Sequence, residues 1–293
     1  MKKILVTDGN IGSHVAEGLA KKGLSVRVLT RTVKPNAKWQ ELGVEQVAGD
    51  VASIDSLAPA FHDVDSFFSV TPYVENLVEL GTNAIEASKR AGVSYIVRSS
   101  LMHASEFSIT LRQWHCEVEK AVETSGIPHT ILQPNTFMQS LLMNAETVKS
   151  ANALFIPQGD GKVSLVDVRD IAAVAVACLT ESGHEGKKYT VTGDQALSNG
   201  EIAKKLTNLL GRTITYYDVS PEQARESMTS AGVPPWMVQT LLELFEVCKA
   251  GDCGEVSPVV EQILKRKPIS ADQFLSENAS AFRPAAGEVA RAG

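Results

Sequence analysis

Nowhere does the sequence carry the roughly 18 consecutive apolar residues that a membrane helix needs, and no basic stripe stands out among its 28 lysines and arginines, which 34 acids outnumber. The first lack speaks against a spanning helix, the second against a general nucleic-acid-binding face. Cysteine is scarce as well. Cys116, Cys178, Cys248 and Cys253 form no Cys-x-x-Cys pair, and no histidine accompanies the closest two. Thiolate–zinc spacings are therefore absent. The apolar run Ile4-Leu5-Val6 is too short for the core of a signal peptide. The expectation is a cytoplasmic protein with reduced thiols, in which Cys116 and Cys178 act as small buried apolar residues. There are no internal repeats.

What the sequence does have is alternation. Hydrophobic residues make up 44% of 293 positions, an ordinary content for a globular core. Short apolar runs at 4–7, 25–30, 44–48, 66–70, 95–99 and 130–133 alternate with helical patterns at 11–22, 37–42, 54–61, 74–91 and 107–124. That alternation predicts right-handed βαβ units and a parallel sheet, an α/β doubly wound arrangement. Gly23, Gly43, Gly92 and Gly126 each end a helical pattern, where a left-handed C-cap is expected. After Pro134 the pattern changes: a short apolar helix at 137–143, a turn at 157–161, an apolar helix at 168–179, strands at 188–192 and 213–217, and otherwise helices. This divides the chain into 1–134, a nucleotide-binding domain, and 135–278, with the remaining sheet elements and a smaller, mostly helical lobe. The boundary is discontinuous, because the apolar helix near 170 packs back onto the sheet. Residues 279–293 read as a disordered tail.

The first strand runs straight into a glycine turn. A dinucleotide loop uses three glycines: one for the turn, one for backbone approach to the pyrophosphate, one for close helix–strand packing. Gly9 and Gly12 stand at the spacing of the last two, and Asp8 stands where the first belongs. Thr7, Gly9, Asn10, Ile11 and Gly12 are thus the candidate phosphate loop. Helix N-termini attract anions, so Asp8 has two readings. Either it points away and the shortened loop cradles phosphate, or its carboxylate caps the helix in the phosphate's place. Arg31, with Lys34 beside it, follows the second strand, where a basic residue suits the 2′-phosphate of NADP(H) and an acidic one suits NAD; the alternative is a solvated loop arginine. Asp50 follows the third strand, placed either to bond an adenine amino group or to cap the next helix.

These residues, with the segments at 91–97, 115–130, 132–138, 159–172 and 231–234, resemble the NmrA-like branch of the atypical short-chain dehydrogenase/reductase family, and within it the members that reduce triphenylmethane dyes and quinones. The likeness covers about residues 3–278. It implies a Rossmann-type parallel sheet with a smaller substrate lobe, and NADPH as hydride donor in the enzymatic members; other members bind NADP without turnover. Members read V-T-G-A-T-G-x-x-G, and this chain, Val6-Thr7-Asp8-Gly9-Asn10-Ile11-Gly12, is two residues shorter.

The Tyr-x-x-x-Lys pair of ordinary short-chain dehydrogenases is missing, since none of the five tyrosines has a lysine four residues on. Ser99 and Ser100 stand at the end of the fifth strand, facing a ligand crevice or serving structurally. His115 lies on the helix that would carry the missing tyrosine, free to relay a proton or packed against the sheet; Glu119, one turn on, bonds it or faces solvent. Phe137, Met138 and Trp236, with Leu141, Leu142 and Phe245, line an apolar pocket for a planar acceptor or are plain core. The expected function is NADPH-dependent reduction of a quinone, dye or related aromatic acceptor by hydride transfer. Its alternatives are a non-catalytic NADP-binding or partner-binding regulator and a cofactor-independent enzyme acting on a biosynthetic intermediate. The expected partner is a small aromatic molecule, not nucleic acid or membrane, and a homodimer stays open.

Overall fold

Runs of β-branched and aromatic residues too short for helices become the strands of a parallel sheet. In chain order these are β1 (Lys3–Thr7), β2 (Ser25–Thr30), β3 (Glu45–Ala48), β4 (Ser66–Ser69), β5 (Tyr95–Ser99) and β6 (His129–Pro134). Then come β7 (Ala153–Phe155), which belongs to a separate small sheet, and β8 (Lys188–Val191). The seven-stranded order is β3-β2-β1-β4-β5-β6-β8, and every pairing is parallel. The computed structural model describes residues 2–106 and 108–284. They fall into two units. The first comprises the chain up to Pro134 with Val168–Val191 and Val259–Arg266; the second comprises Asn135–Asp167, Thr192–Pro258 and the chain from Lys267.

In the first unit the crossovers are α1 (Asn10–Lys21), α2 (Ala37–Glu41), α3 (Ala58–Phe61), α4 (Leu77–Arg90) and α5 (Thr110–Thr124). The helical pattern read from 107 thus begins three residues later, and Phe107 itself lies outside the described residues. The four glycines expected as C-caps all adopt positive φ. Each crossover helix turns an apolar stripe onto the sheet. On one face Leu5, Phe67 and Ile96 meet Phe61, Ile85 and Val122, and the Phe61 and Phe67 rings pack edge to face at 5.0 Å.

The second unit holds α6 (Ala145–Ala151), while α7 (Val168–Thr180) belongs to the first. Next in the second unit come α8 (Asn199–Leu210), β9 (Thr215–Tyr217), α9 (Pro221–Ser230) and α10 (Pro235–Lys249). The chain closes with α11 (Val259–Leu264), in the first unit, and α12 (Ala271–Glu277), in the second. Ser198 and Ser220 open α8 and α9 with reciprocal capping boxes. β7 was not expected; it pairs with β9 in parallel, and the strand read at 213–217 shrinks to the three residues it can pair. The apolar segment at 137–143 forms a 3₁₀ helix, Met138–Asn144.

Two other expectations are corrected here. Cys248 and Cys253 form a disulfide, with Cα atoms 4.8 Å apart, because the turn after α10 folds Cys253 back onto the last turn of the helix; Cys116 and Cys178 are free and buried, as expected. The start of the presumed tail is also ordered: Ala279–Phe282 is a 3₁₀ turn that buries the Phe282 ring. Residues 285–293 of that tail lie outside the described residues. No helix among the described residues is long and apolar enough to cross a membrane.

Candidate functional site

The chain adds β2 and β3 on one side of β1 and β4 onward on the other. Loops leaving the carboxyl ends of β1 and β4 therefore diverge, and open α/β sheets bind ligands at such a point. A crevice of about 1010 Å³ lies along these strand ends, within the first unit. Its walls include Thr7, Asp8 and Gly9 after β1, Arg31 and Lys34 after β2, and Asp50 after β3. Pro72 and Val74, after β4, line it at the far side.

The β1–α1 turn is only Asp8-Gly9. Gly9 has φ 141° and open space where a Cβ would stand, so the backbone there requires glycine and leaves its outer side clear. At Gly12 a Cβ would lie 1.9 Å from the Thr7 carbonyl oxygen, so α1 can approach β1 this closely only with glycine there. The Ile11 side chain goes into the core. Asn10, Ile11 and Gly12 thus contribute the helix N-terminus rather than side chains to the crevice. The structure takes neither reading of Asp8 in full: α1 carries no side-chain cap, and the carboxylate stays at the turn. It accepts from the Gly9 N–H at 2.8 Å and the Ser13 hydroxyl at 3.4 Å.

Arg31 and Lys34 are exposed, and neither meets an acidic partner among the described residues. Asp50 Oδ1 accepts from the Ala52 N–H at 3.0 Å, an Asx turn that shapes the loop and leaves the second oxygen open.

Beside the crevice, under the ends of β4, β5 and β6, lies a buried polar cluster that the pattern reading missed. Arg98 sits within β5 and is fully buried. Its Nη2 donates to the Thr71 hydroxyl at 2.8 Å and its Nη1 to the Ser69 hydroxyl at 3.2 Å. Burial lowers its pKa to about 10, which leaves it charged at neutral pH. Glu119 on α5, also fully buried, neither bonds His115 nor faces solvent. It accepts from Ser100 Oγ at 2.5 Å, Gln133 Nε2 at 2.9 Å and Lys188 Nζ at 2.8 Å. The sequence held one signal for this cluster: a lone arginine directly after the apolar run Tyr95-Ile96-Val97.

Ser99 is buried at the end of β5, and Ser100 just beyond it gives its hydroxyl to Glu119. His115 is half-buried with an enclosed Nδ1 that has no hydrogen-bond partner. Burial, helped by the nearby Arg98 charge, pushes its pKa down to about 3, so the folded ring stays neutral. The unfolded chain takes up that proton below about pH 6.5. Stability from this group is therefore complete above pH 6.5 and declines as pH falls toward 3, by on the order of 1 kcal/mol per unit. Urea midpoints at pH 7 and pH 5 should differ less for His115→Gln than for the wild type; equal differences would remove His115 as a source of acid sensitivity.

The three residues read as substrate contacts lie in the second unit. Met138 is 1% exposed inside its main apolar cluster, with Leu141, so it is core and not pocket lining. Phe137 and Trp236 are half-buried, and Phe245 packs on a separate small cluster around Val238.

Comparison with known proteins adds four findings. The NmrA-like family model matches residues 1–275. The chain is 36% identical over 275 residues to an NAD(P)H azoreductase of Xenophilus azovorans, covering 94% of this chain and 96% of that one. It is 35% identical over 288 residues to a (4-alkanoyl-5-oxo-2,5-dihydrofuran-3-yl)methyl phosphate reductase of Streptomyces griseus, covering 96% and 99%. Among solved structures, an NADPH-dependent quinone oxidoreductase of Escherichia coli in complex with NADPH superposes with a TM-score of 0.86 at 26% identity, covering 94% of this chain and 99% of that one.

Proposed function

The chain belongs to the NmrA-like family, and from that premise we propose that it is an NADPH-dependent reductase of a quinone, azo or triphenylmethane dye, or related aromatic acceptor. The observation that carries this reading is the pair of cations, Arg31 and Lys34, without an acidic partner among the described residues, at the β2 end of the switch-point crevice. The named activities of its relatives support the acceptor class.

The residues fit the dinucleotide, with one group that must move. Arg31 and Lys34 would hold the 2′-phosphate, the free Asp50 oxygen would face the adenine amino group, and the α1 N-terminus with its Gly9 opening would receive the pyrophosphate. Asp8 opposes this last contact and has to swing aside. When bound, the reduced nicotinamide would supply the hydride. The protein's part is to bind, to orient and to keep the acceptor's surroundings neutral. His115, uncharged, could hydrogen-bond an acceptor oxygen without adding charge, and Ser100, its proton held by Glu119, offers a fixed acceptor.

The test is calorimetric titration with NADPH, followed by NADPH-consuming assays on a panel of quinones and azo and triphenylmethane dyes. Saturable binding with turnover is expected. No binding at millimolar NADPH would overturn the reading, and binding without turnover across the panel would favour a redox-sensing regulator.

A further inference from the structure

A second cavity of the first unit, of about 600 Å³, is walled by α1, α7 and α11. It shares no lining residue with the dinucleotide crevice. α1 starts at the crevice, and its 12 residues carry the chain about 18 Å away from it. The floor is made of small side chains. A Cβ at Gly18 would lie 2.9 Å from Val176 Cγ2, so α1 and α7 pass close together there. Ala172, Ala173 and Ala177 continue the floor along α7, and Ile263 and Leu264 of α11 stand half-buried at its side. Arg266, just after α11, ties that helix to α7, with its Nη1 2.7 Å from Oδ1 of the buried Asp170.

The rim carries charge mostly of one sign. Lys21 and Lys22 stand at the end of α1 and Lys265 follows α11. All three are exposed, and none makes an ion pair among the described residues. Helix C-termini favour cations, which accounts for where these lysines stand and still leaves each without an acid. Arg169 and the half-buried His14 also line the cavity. Of its two acids, Glu17 is already engaged by Lys38 at 2.6 Å, and Glu181 is exposed. In a chain of net charge −6 this is a local reversal of sign over an apolar floor. Lys22 also walls a neighbouring cavity of about 410 Å³, with Ile4, Leu24 and Leu179.

We propose that the cavity between α1, α7 and α11 binds an amphipathic carboxylate: an unbranched alkyl chain of roughly ten carbons, a size suited to a small-molecule site, ending in a carboxylate. The chain lies on the glycine and alanine floor, and the head sits among Lys21, Lys22 and Lys265. Lysines offer separate point charges on flexible stems, which suits a carboxylate at a solvent edge. The floor fits a narrow chain, and no Phe, Tyr or Trp among the described residues lines it for a ring to stack on. The proposal does not depend on the cofactor reading.

The experiment is calorimetric titration with decanoate below its micelle-forming concentration, beside butyrate, which lacks the tail, and decan-1-ol, which lacks the charge. Saturable one-to-one binding of decanoate is expected, with butyrate and decan-1-ol each about tenfold weaker or more. Replacing Lys21, Lys22 and Lys265 together by glutamine should weaken decanoate about tenfold; all three are exposed, so their replacement spares the fold. Ala173→Asp, which sets a like charge on the floor, should weaken it at least as much. Saturating NADPH should leave decanoate bound. If Ala173→Asp does not fold, the lysine variant decides alone. No saturable decanoate binding, butyrate or decan-1-ol as tight as decanoate, full affinity in either variant, or displacement by NADPH would each overturn the proposal.

Discussion

Replacing Arg31 with alanine is expected to weaken NADPH binding by about 10- to 100-fold, or roughly 1.5–3 kcal/mol, while NADH binding changes by less than about twofold. The two cofactors differ only in the 2′-phosphate, so their ratio isolates what Arg31 reads. The effect is large because Arg31 has no acid to release before it meets a phosphate, and guanidinium–phosphate pairing is charge-assisted and often bidentate. Lys34 beside it lines the same wall and limits the loss, so Arg31→Ala with Lys34→Ala should go further. Titration calorimetry with both cofactors checks this. Equal losses for NADPH and NADH would show that Arg31 contributes only general positive charge.

The second large effect runs the other way: Asp8→Asn should tighten NADP(H) binding, by about tenfold or more. The Asp8 carboxylate lies on the Gly9 N–H, at the positive end of α1, where the pyrophosphate would come. Two like charges about 4 Å apart repel by several kcal/mol at an effective dielectric near 20, and solvent screening at this exposed loop reduces the net figure. Asparagine keeps an acceptor oxygen for Gly9 and removes the charge. The apo protein should lose stability by about 0.5–1 kcal/mol, because the helix loses a favourable anion. Tighter binding together with a lower apo melting temperature is the joint signature. Unchanged or weaker affinity in Asp8→Asn would mean that the carboxylate does not compete with the cofactor.

The sequence made the frame of this site legible because it is written in local order. Strand β1, the turn at Gly9 and the opening of α1 are consecutive residues, and their spacing alone identifies a nucleotide-type loop. Arg31 and Asp50 could be placed at the crevice for the same reason: each stands just after its strand, and in a parallel sheet all strand ends open on one edge. The Asp8 alternatives could not be separated in this way. Which way one side chain turns depends on the competition between the Gly9 N–H, Ser13 and solvent, and no periodicity records that.

Elsewhere the sequence fell short wherever partners are far apart along the chain. Ser100, Glu119, Gln133 and Lys188 meet around one carboxylate only after two crossovers have brought α5, β5, β6 and β8 together. Arg98 reaches Thr71 across two neighbouring strands. Met138 reads as a pocket residue by its spacing and is core because Leu141, Leu165 and Ile202 close around it. The Cys248–Cys253 bond needed the turn after α10 before its two sulfurs could meet. By itself, then, the sequence determined the α/β alternation, the parallel sheet, the glycine turns and the side chains at the strand ends, all set by local spacing. The tertiary structure alone decided where buried charges find partners and which apolar residues are core. Those outcomes depend on desolvation and on contacts between residues tens of positions apart.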